Sequence, residues 1–241
     1  MLSKTNQKKI YTKLNNIYQS HCNKEDVNFY TSEVVQLLNQ FNQKSKKKIK
    51  NISEKTSMLI CYGDSIFAQN QKHSIKVFKN FFQKRLSKNF NTVHFLPFYP
   101  SSSDSGFAVK DHYKIDGRLG NWSDIKSFSK KIDVMADIVI NHSSARGLWF
   151  KNFLKAKRPG KDYFLTVDSK FNASKVVRPR DHKLLKKINI FNKTDYLWRT
   201  FSPDQLDLNF KNPAVLLRFI KIMINLINHL SLIHISEPTR Q

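Results

Sequence analysis

The sequence predicts an α/β barrel, an architecture of parallel strands alternating with helices, and three observations carry that expectation. Val93 to Phe98 and Val134 to Ile140 are near-continuous apolar runs, the pattern of strands buried on both faces of a parallel sheet. Each run breaks into polar residues: SSSDSG follows the first and Asn141-His142 the second. Segments with helical apolar spacing lie between the runs. Strands that deliver carboxylate, amide and imidazole groups at their C-terminal ends are the layout of a barrel active site.

Taken in order, residues 1–56 read as an N-terminal helical segment. Ile10, Leu14 and Ile17 share one helical face, as do Val34, Leu37, Leu38 and Phe41. The cluster KSKKKIK at 44–50 then reads as a solvated linker. Met58 to Tyr62 is the expected first strand, and Asp64 after it reads either as a sugar contact or as a turn residue capping the loop. Ser74 opens a helix whose Ile75, Phe78, Phe82 and Leu86 would cover the sheet. The second strand follows at Val93, completing a βαβ unit. In the loop beyond it, Gly106 permits close approach of a ligand, and the Asp104 carboxylate could accept two charge-assisted hydrogen bonds from adjacent sugar hydroxyls.

A helix from Trp122 to Lys131, with Trp122, Ile125 and Phe128 inward, leads to the third strand. From Ser143 to Pro203 no period is clear. Asn212 then fits a helix N-cap with Pro213 in the first position, and Leu216, Leu217, Ile220, Met223, Ile224 and Ile227 supply the expected packing face.

With 241 residues the chain could bury one sizeable core, but barrels of this kind usually need about 250 or more. Its 42 Lys and Arg outnumber 18 Asp and Glu for a formal net charge of +24, which raises a nucleic-acid-binding alternative. The lysines are dispersed rather than striped, so a basic surface without a nucleic-acid partner is the expectation. Cys22 and Cys61 suggest neither a disulfide framework nor a zinc site. MLSKTNQKKI lacks the apolar core of a signal peptide, and the apolar run from Ala214 to Leu230 is broken by Arg218 and Lys221. A cytoplasmic protein with no membrane partner is expected.

YGDSI at 62–66, LPFYPSSSDSGFAVKDHYKID at 96–116, DIVINH at 137–142, VVRPR at 176–180 and FSPDQLDLNFKNP at 201–213 together resemble the α-amylase superfamily (glycoside hydrolase family 13). The match is nearest to its sucrose phosphorylase and glucosylglycerate phosphorylase branch and spans about residues 57–229. It implies a (β/α)8 barrel of which this chain holds the first three strands: residues 57–142 as the first part, 143–205 as a small domain inserted after strand three, and 206–229 as the third barrel helix. It further implies Asp104 and Phe107 in the glucose pocket, His142 donating to a glucose hydroxyl, and Asp137 and Asn141 in support. Arg180, with Arg178 as fallback, would meet the acceptor, since phosphate calls for a fixed guanidinium fork. Asp111, His112 and Tyr113 would support the loop after the second strand, and Asp204 and Asp207 would fix the corner before the third helix and the barrel's rim.

The closing residues 230–241 resemble an in-frame translation of a transposase adapter used in sequencing libraries. The resemblance implies a retaining glucosyl transfer from sucrose, sucrose phosphate or a glucosylglycerate-like α-glucoside to inorganic phosphate, without metal or organic cofactor. The aspartate nucleophile and glutamate acid/base that such chemistry needs would lie on strands four and five, beyond this sequence, so the chain itself is expected to be inactive. A hydrolase or transglucosidase of the same superfamily is the alternative.

Overall fold

The computed structural model describes residues 1–44, 52–177, 180–190, 193–230 and 232–236. Arg178 and nearly all of the lysine cluster at 44–50 fall outside them. Two helices come first, α1 (Lys4–Tyr18) and α2 (Lys24–Lys44), followed by β1 (Met58–Cys61), α3 (Ser74–Arg85), β2 (Thr92–Phe95), α4 (Trp122–Ser129) and β3 (Asp133–Val139). An excursion follows: β4 (His142–Ser144), α5 (Leu148–Phe153), β5 (Thr166–Val167), β6 (Leu185–Ile190), β7 (Lys193–Trp198) and β8 (Gln205–Asp207). The chain then returns through α6 (Pro213–His229) to β9 (Leu232–Ser236).

The main sheet is parallel in the order β1-β2-β3-β9, with Cys61 beside Phe95 and Phe95 beside Ala136. The expected three strands are therefore four. β9 pairs in parallel with β3, its His234 opposite Asp137. The physical reason is an unpaired β3 edge, whose backbone donors and acceptors are met by the LIHIS run that α6 delivers beside it.

Helices α3 and α4 cover one face of the sheet. Phe78, Phe82, Phe95 and Phe128 are all buried there, with ring centroids 5.4–6.1 Å apart and mostly edge-to-face. Each such contact adds about 0.5–1.5 kcal/mol beyond area burial. α4 begins with a capping box, in which the Asn121 side chain accepts from the Ser123 and Asp124 amides while Asp124 Oδ2 accepts from the Asn121 amide. Asn212 caps α6 through its Oδ1, as its sequence position suggested.

Two helical faces differ from expectation. In α1 the buried residues are Leu14 and Tyr18, while Ile17 is 55% exposed. In α6 the residues facing the main core are Val215, Phe219, Ile222 and Leu226, whereas Leu216, Leu217 and Ile220 pack against the α1–α2 pair. The helix is apolar on two sides because it lies between sheet and hairpin, a placement that a single amphipathic stripe cannot represent. The stretch without clear period contains a three-stranded antiparallel sheet, β5-β7-β6, and a two-stranded one, β4-β8. No helix among the described residues is long and apolar enough to cross a membrane.

Candidate active site

The loop after β2 is closed into a compact unit by Ser101 bridging to Val109, and by Lys110 N donating to the Pro100 carbonyl at 2.8 Å. Its tip, Asp104–Gly106, is a short 3-10 turn with backbone φ of +56° at Asp104 and +47° at Ser105. Consecutive left-handed non-glycine residues persist where the surroundings over-determine them. Gly106 is part of that determination: at φ +103° a Cβ would sit 2.4 Å from the Pro97 carbonyl oxygen. The glycine thus makes room for the chain's own backbone at a position that also borders the cleft described below.

The short β4-β8 ribbon stands beside this loop and pairs His142 with Asp207 and Ser144 with Gln205. Gln205 Nε2 donates to Asp104 Oδ2 at 2.8 Å. Asp204 accepts from the hydroxyls of Ser102 and Ser103, the latter at 3.0 Å, and Ser102 Oγ lies 2.5 Å from Ser144 Oγ. A tight polar seam therefore joins the β2 loop to the end of the excursion. Asp207 is buried and accepts from the Thr200 amide at 2.9 Å and hydroxyl at 2.5 Å; burial pushes its carboxyl up to about 6 against these bonds. His112 is buried, donates Nε2–H to the Val139 carbonyl at 3.0 Å and stacks on Trp149.

His142 is buried at 1% exposure. Its Nε2 lies 3.2 Å from the Phe107 carbonyl, so that nitrogen carries the proton, and Nδ1 has no hydrogen-bond partner among the described residues. Burial lowers the imidazole to about 4, opposed by the Phe107 bond and by the Asp104 charge. The ring is neutral near pH 7, and its unsatisfied Nδ1 is an acceptor. The donor nitrogen that the resemblance assigned to a glucose hydroxyl is engaged with Phe107 instead.

Asp137 is 2% exposed, and its Oδ1 meets His94 Nε2 at 2.8 Å and His234 Nδ1 at 2.6 Å. Burial raises its carboxyl, and the two histidine bonds more than offset this, holding it below the usual range. It holds His94 and His234 from within the sheet. His94, His234 and Asp137 are also a group of side chains whose ligand atoms lie within 4.8 Å of one another, and their mutual hydrogen bonds account for that closeness.

A cleft of about 710 Å³ opens at the ends of β1 and β2, lined by Tyr62, Asp64, Tyr99, Asp104, Lys110 and Arg118 among others. It gathers Asp64 and Asp104; Phe107, His142 and Arg180 do not line it. His142 sits behind the Asp104 loop, close enough to feel that carboxylate, and Phe107 is half-buried against the main core. Asn141 is buried, with its carbonyl accepting from Leu208 N at 2.8 Å. Arg180 is exposed and donates through Nε to the Phe201 carbonyl at 3.1 Å, while the Phe201 ring packs 4.9 Å from that of His142.

Sequence reasoning passed over His94 and Gln205. His94 had a readable signal, since buried polar residues on adjoining strands must satisfy each other and Asp137 lies on the next strand. Gln205 had none, because its partner is 101 residues away.

Residues 86–232 match the family model of the α-amylase catalytic domain. The chain belongs to the α-amylase family. Among curated proteins it is 42% identical over 172 residues to the glucosylglycerate phosphorylase of Allomeiothermus silvanus, covering 71% of this chain and 31% of that protein. It is 38% identical over 181 residues to the glucosylglycerate phosphorylase of Escherichia coli, covering 75% and 32%. The structure of sucrose 6F-phosphate phosphorylase from Thermoanaerobacter thermosaccharolyticum superimposes with a TM-score of 0.66 at 26% identity, over 77% of this chain and 40% of that one. The chain spans about a third of the length of these curated relatives.

Proposed function

We propose that this chain forms the first part of a (β/α)8 barrel and supplies the glucose-holding wall of an α-glucoside phosphorylase that passes a glucosyl group to phosphate. The observation that carries the reading is the joining of Asp104 and His142 at one end of the parallel sheet by the Gln205 and Phe107 bonds. Names of the most similar relatives support the reaction class.

In this reading Asp104, an exposed carboxylate held in a fixed backbone conformation, accepts two hydroxyls of the glucosyl ring. Phe107 and His142 back the loop from behind the cleft, His142 bonding the Phe107 carbonyl through Nε2. Asp64 borders the same cleft, Asp137 and Asn141 hold the strand end, and the exposed Arg180 guanidinium meets phosphate. A retaining transfer requires an attacking and a protonating carboxylate about 5 Å apart. The resemblance assigns them to strands four and five of the family barrel; β9, LIHIS, holds the fourth place in this sheet and carries no carboxylate, so residues 1–241 alone are expected to give no turnover.

The test exchanges residues 57–229 for the matching segment of the Allomeiothermus silvanus phosphorylase, which provides the remaining barrel. The exchanged protein should release α-glucose 1-phosphate from glucosylglycerate in a phosphate-dependent way. Asp104→Asn within it should lower kcat/KM by about 100-fold, as expected for loss of a charge-assisted contact made to the reacting sugar. Unchanged kcat/KM in that variant would overturn the assignment.

A further inference from the structure

We propose that the seam between α2, the 156–163 loop and α6 is a second, separate binding site for a small phosphomonoester. A cavity of about 260 Å³ lies there, lined by Phe29, Tyr30, Arg158, Lys161, Arg218 and Lys221 among others. Its four cations come from two segments far apart in sequence and face one carboxylate in the lining, Asp162. Two further acids lie nearby: Glu33 reaches Lys221 only at 3.9 Å, and Asp26 is close enough to act on Tyr30.

This chain is basic throughout, so cations alone would mean little; what separates these from dispersed surface lysines is how they are held. Arg218 is half-buried near Tyr113 and Tyr163, and its buried Nε has no hydrogen-bond partner among the described residues. A desolvated, pre-positioned fork of this kind binds a phosphate more strongly than a solvated ammonium does. Arg158 and Lys161 sit on a rigid turn. A Cβ at Gly160 would fall 2.2 Å from the Trp149 carbonyl, and Asp162 is held at φ +58° with its own carbonyl accepting from Asn212 Nδ2 at 3.0 Å.

The organic part of the ligand would lie on Phe29, which is 57% exposed and stacks edge-to-face with Tyr30 at 5.2 Å. The volume is below that of drug-sized pockets and suits a phosphate with one small ring. Because the wall on one side is α2 and on the other α6, occupancy would fasten the N-terminal hairpin to the barrel segment.

Thermal unfolding of the full chain tests this with inorganic phosphate, phenyl phosphate and phenylacetate as probes, against sodium chloride of equal ionic strength. Both phosphates should raise Tm, phenyl phosphate the more, and phenylacetate little. The double variant Arg158→Gln, Lys161→Gln, whose side chains are on an exposed turn, should weaken binding about tenfold or more, each lost charge-assisted bond being of that order. Arg180→Gln should leave the effect intact, which separates this site from the phosphate contact proposed in the cleft. Equal stabilisation by chloride, or loss of the effect in Arg180→Gln with retention in the double variant, would overturn the proposal.

Discussion

Gln205 reaches across 101 residues of sequence to donate its side-chain amide to Asp104 at 2.8 Å. That bond fastens the loop after β2 to the ribbon that carries His142, and Gln205 itself is fully buried. Gln205→Ala should destabilise the chain by about 1–3 kcal/mol, the cost of a buried bond to a charged group. Urea unfolding measures it. No change in midpoint would mean that the two segments are held without it.

Gly106→Ala should cost about 2–4 kcal/mol, because it combines a left-handed backbone with a Cβ placed against the Pro97 carbonyl. Gly117→Ala is the matched control. Nothing lies within 4 Å of a Cβ there, so its effect on the urea midpoint should be within about 0.5 kcal/mol of zero. Equal effects at the two positions would remove the steric account of the loop.

Stability should fall on acidification between pH 6.5 and 4. His112 and His142, both lowered by burial from 6.5 to about 4, stay neutral in the fold while the unfolded chain takes up protons. Their contribution is full above 6.5 and is lost as pH falls through about 4. Asp207 acts oppositely: raised from 3.8 to about 6, it contributes below 3.8 and loses that contribution as pH rises through 6. Two histidines outweigh one aspartate, so Tm should drop across the window. With Asp207 opposing, the two histidines leave a net uptake of about one proton, so His112→Gln should bring the slope close to zero between about pH 4 and 6.

Among the described residues the outer strands β1 and β9 present unpaired edges, and Ile60 on β1 is 59% exposed. Self-association is the expected consequence. Light scattering should show mass rising with concentration, and Ile60→Lys should suppress it. A monomer at every concentration would contradict this.

The parallel strands were legible because residues buried on both faces leave apolar runs, as in Val134 to Val139. The same logic located Asp104 and the Asn141-His142 pair, since strand ends are where such runs break. What stayed hidden has physical causes. β4 and β8 are three residues each and largely polar, stabilised by cross-chain bonds that leave no local period. β6 exposes Lys186 and Lys187, adjacent residues on opposite faces, which masks its alternation. α6 was read as one-sided because nothing in its own residues says that α1 and α2 cover the other face. The closing segment was not expected in the sheet at all, as edge pairing depends on the strand beside it and little on its own sequence.

Saturation-transfer NMR of glucosylglycerate with the full chain tests the central claim most directly, since it reads sugar contact without requiring turnover. The expected result is saturation of the glucosyl ring protons that falls away in both Asp104→Asn and His142→Ala and survives in Arg158→Gln. Undiminished saturation in both of the first two variants would mean that the carboxylate at 104 and the imidazole at 142 do not belong to a glucose pocket.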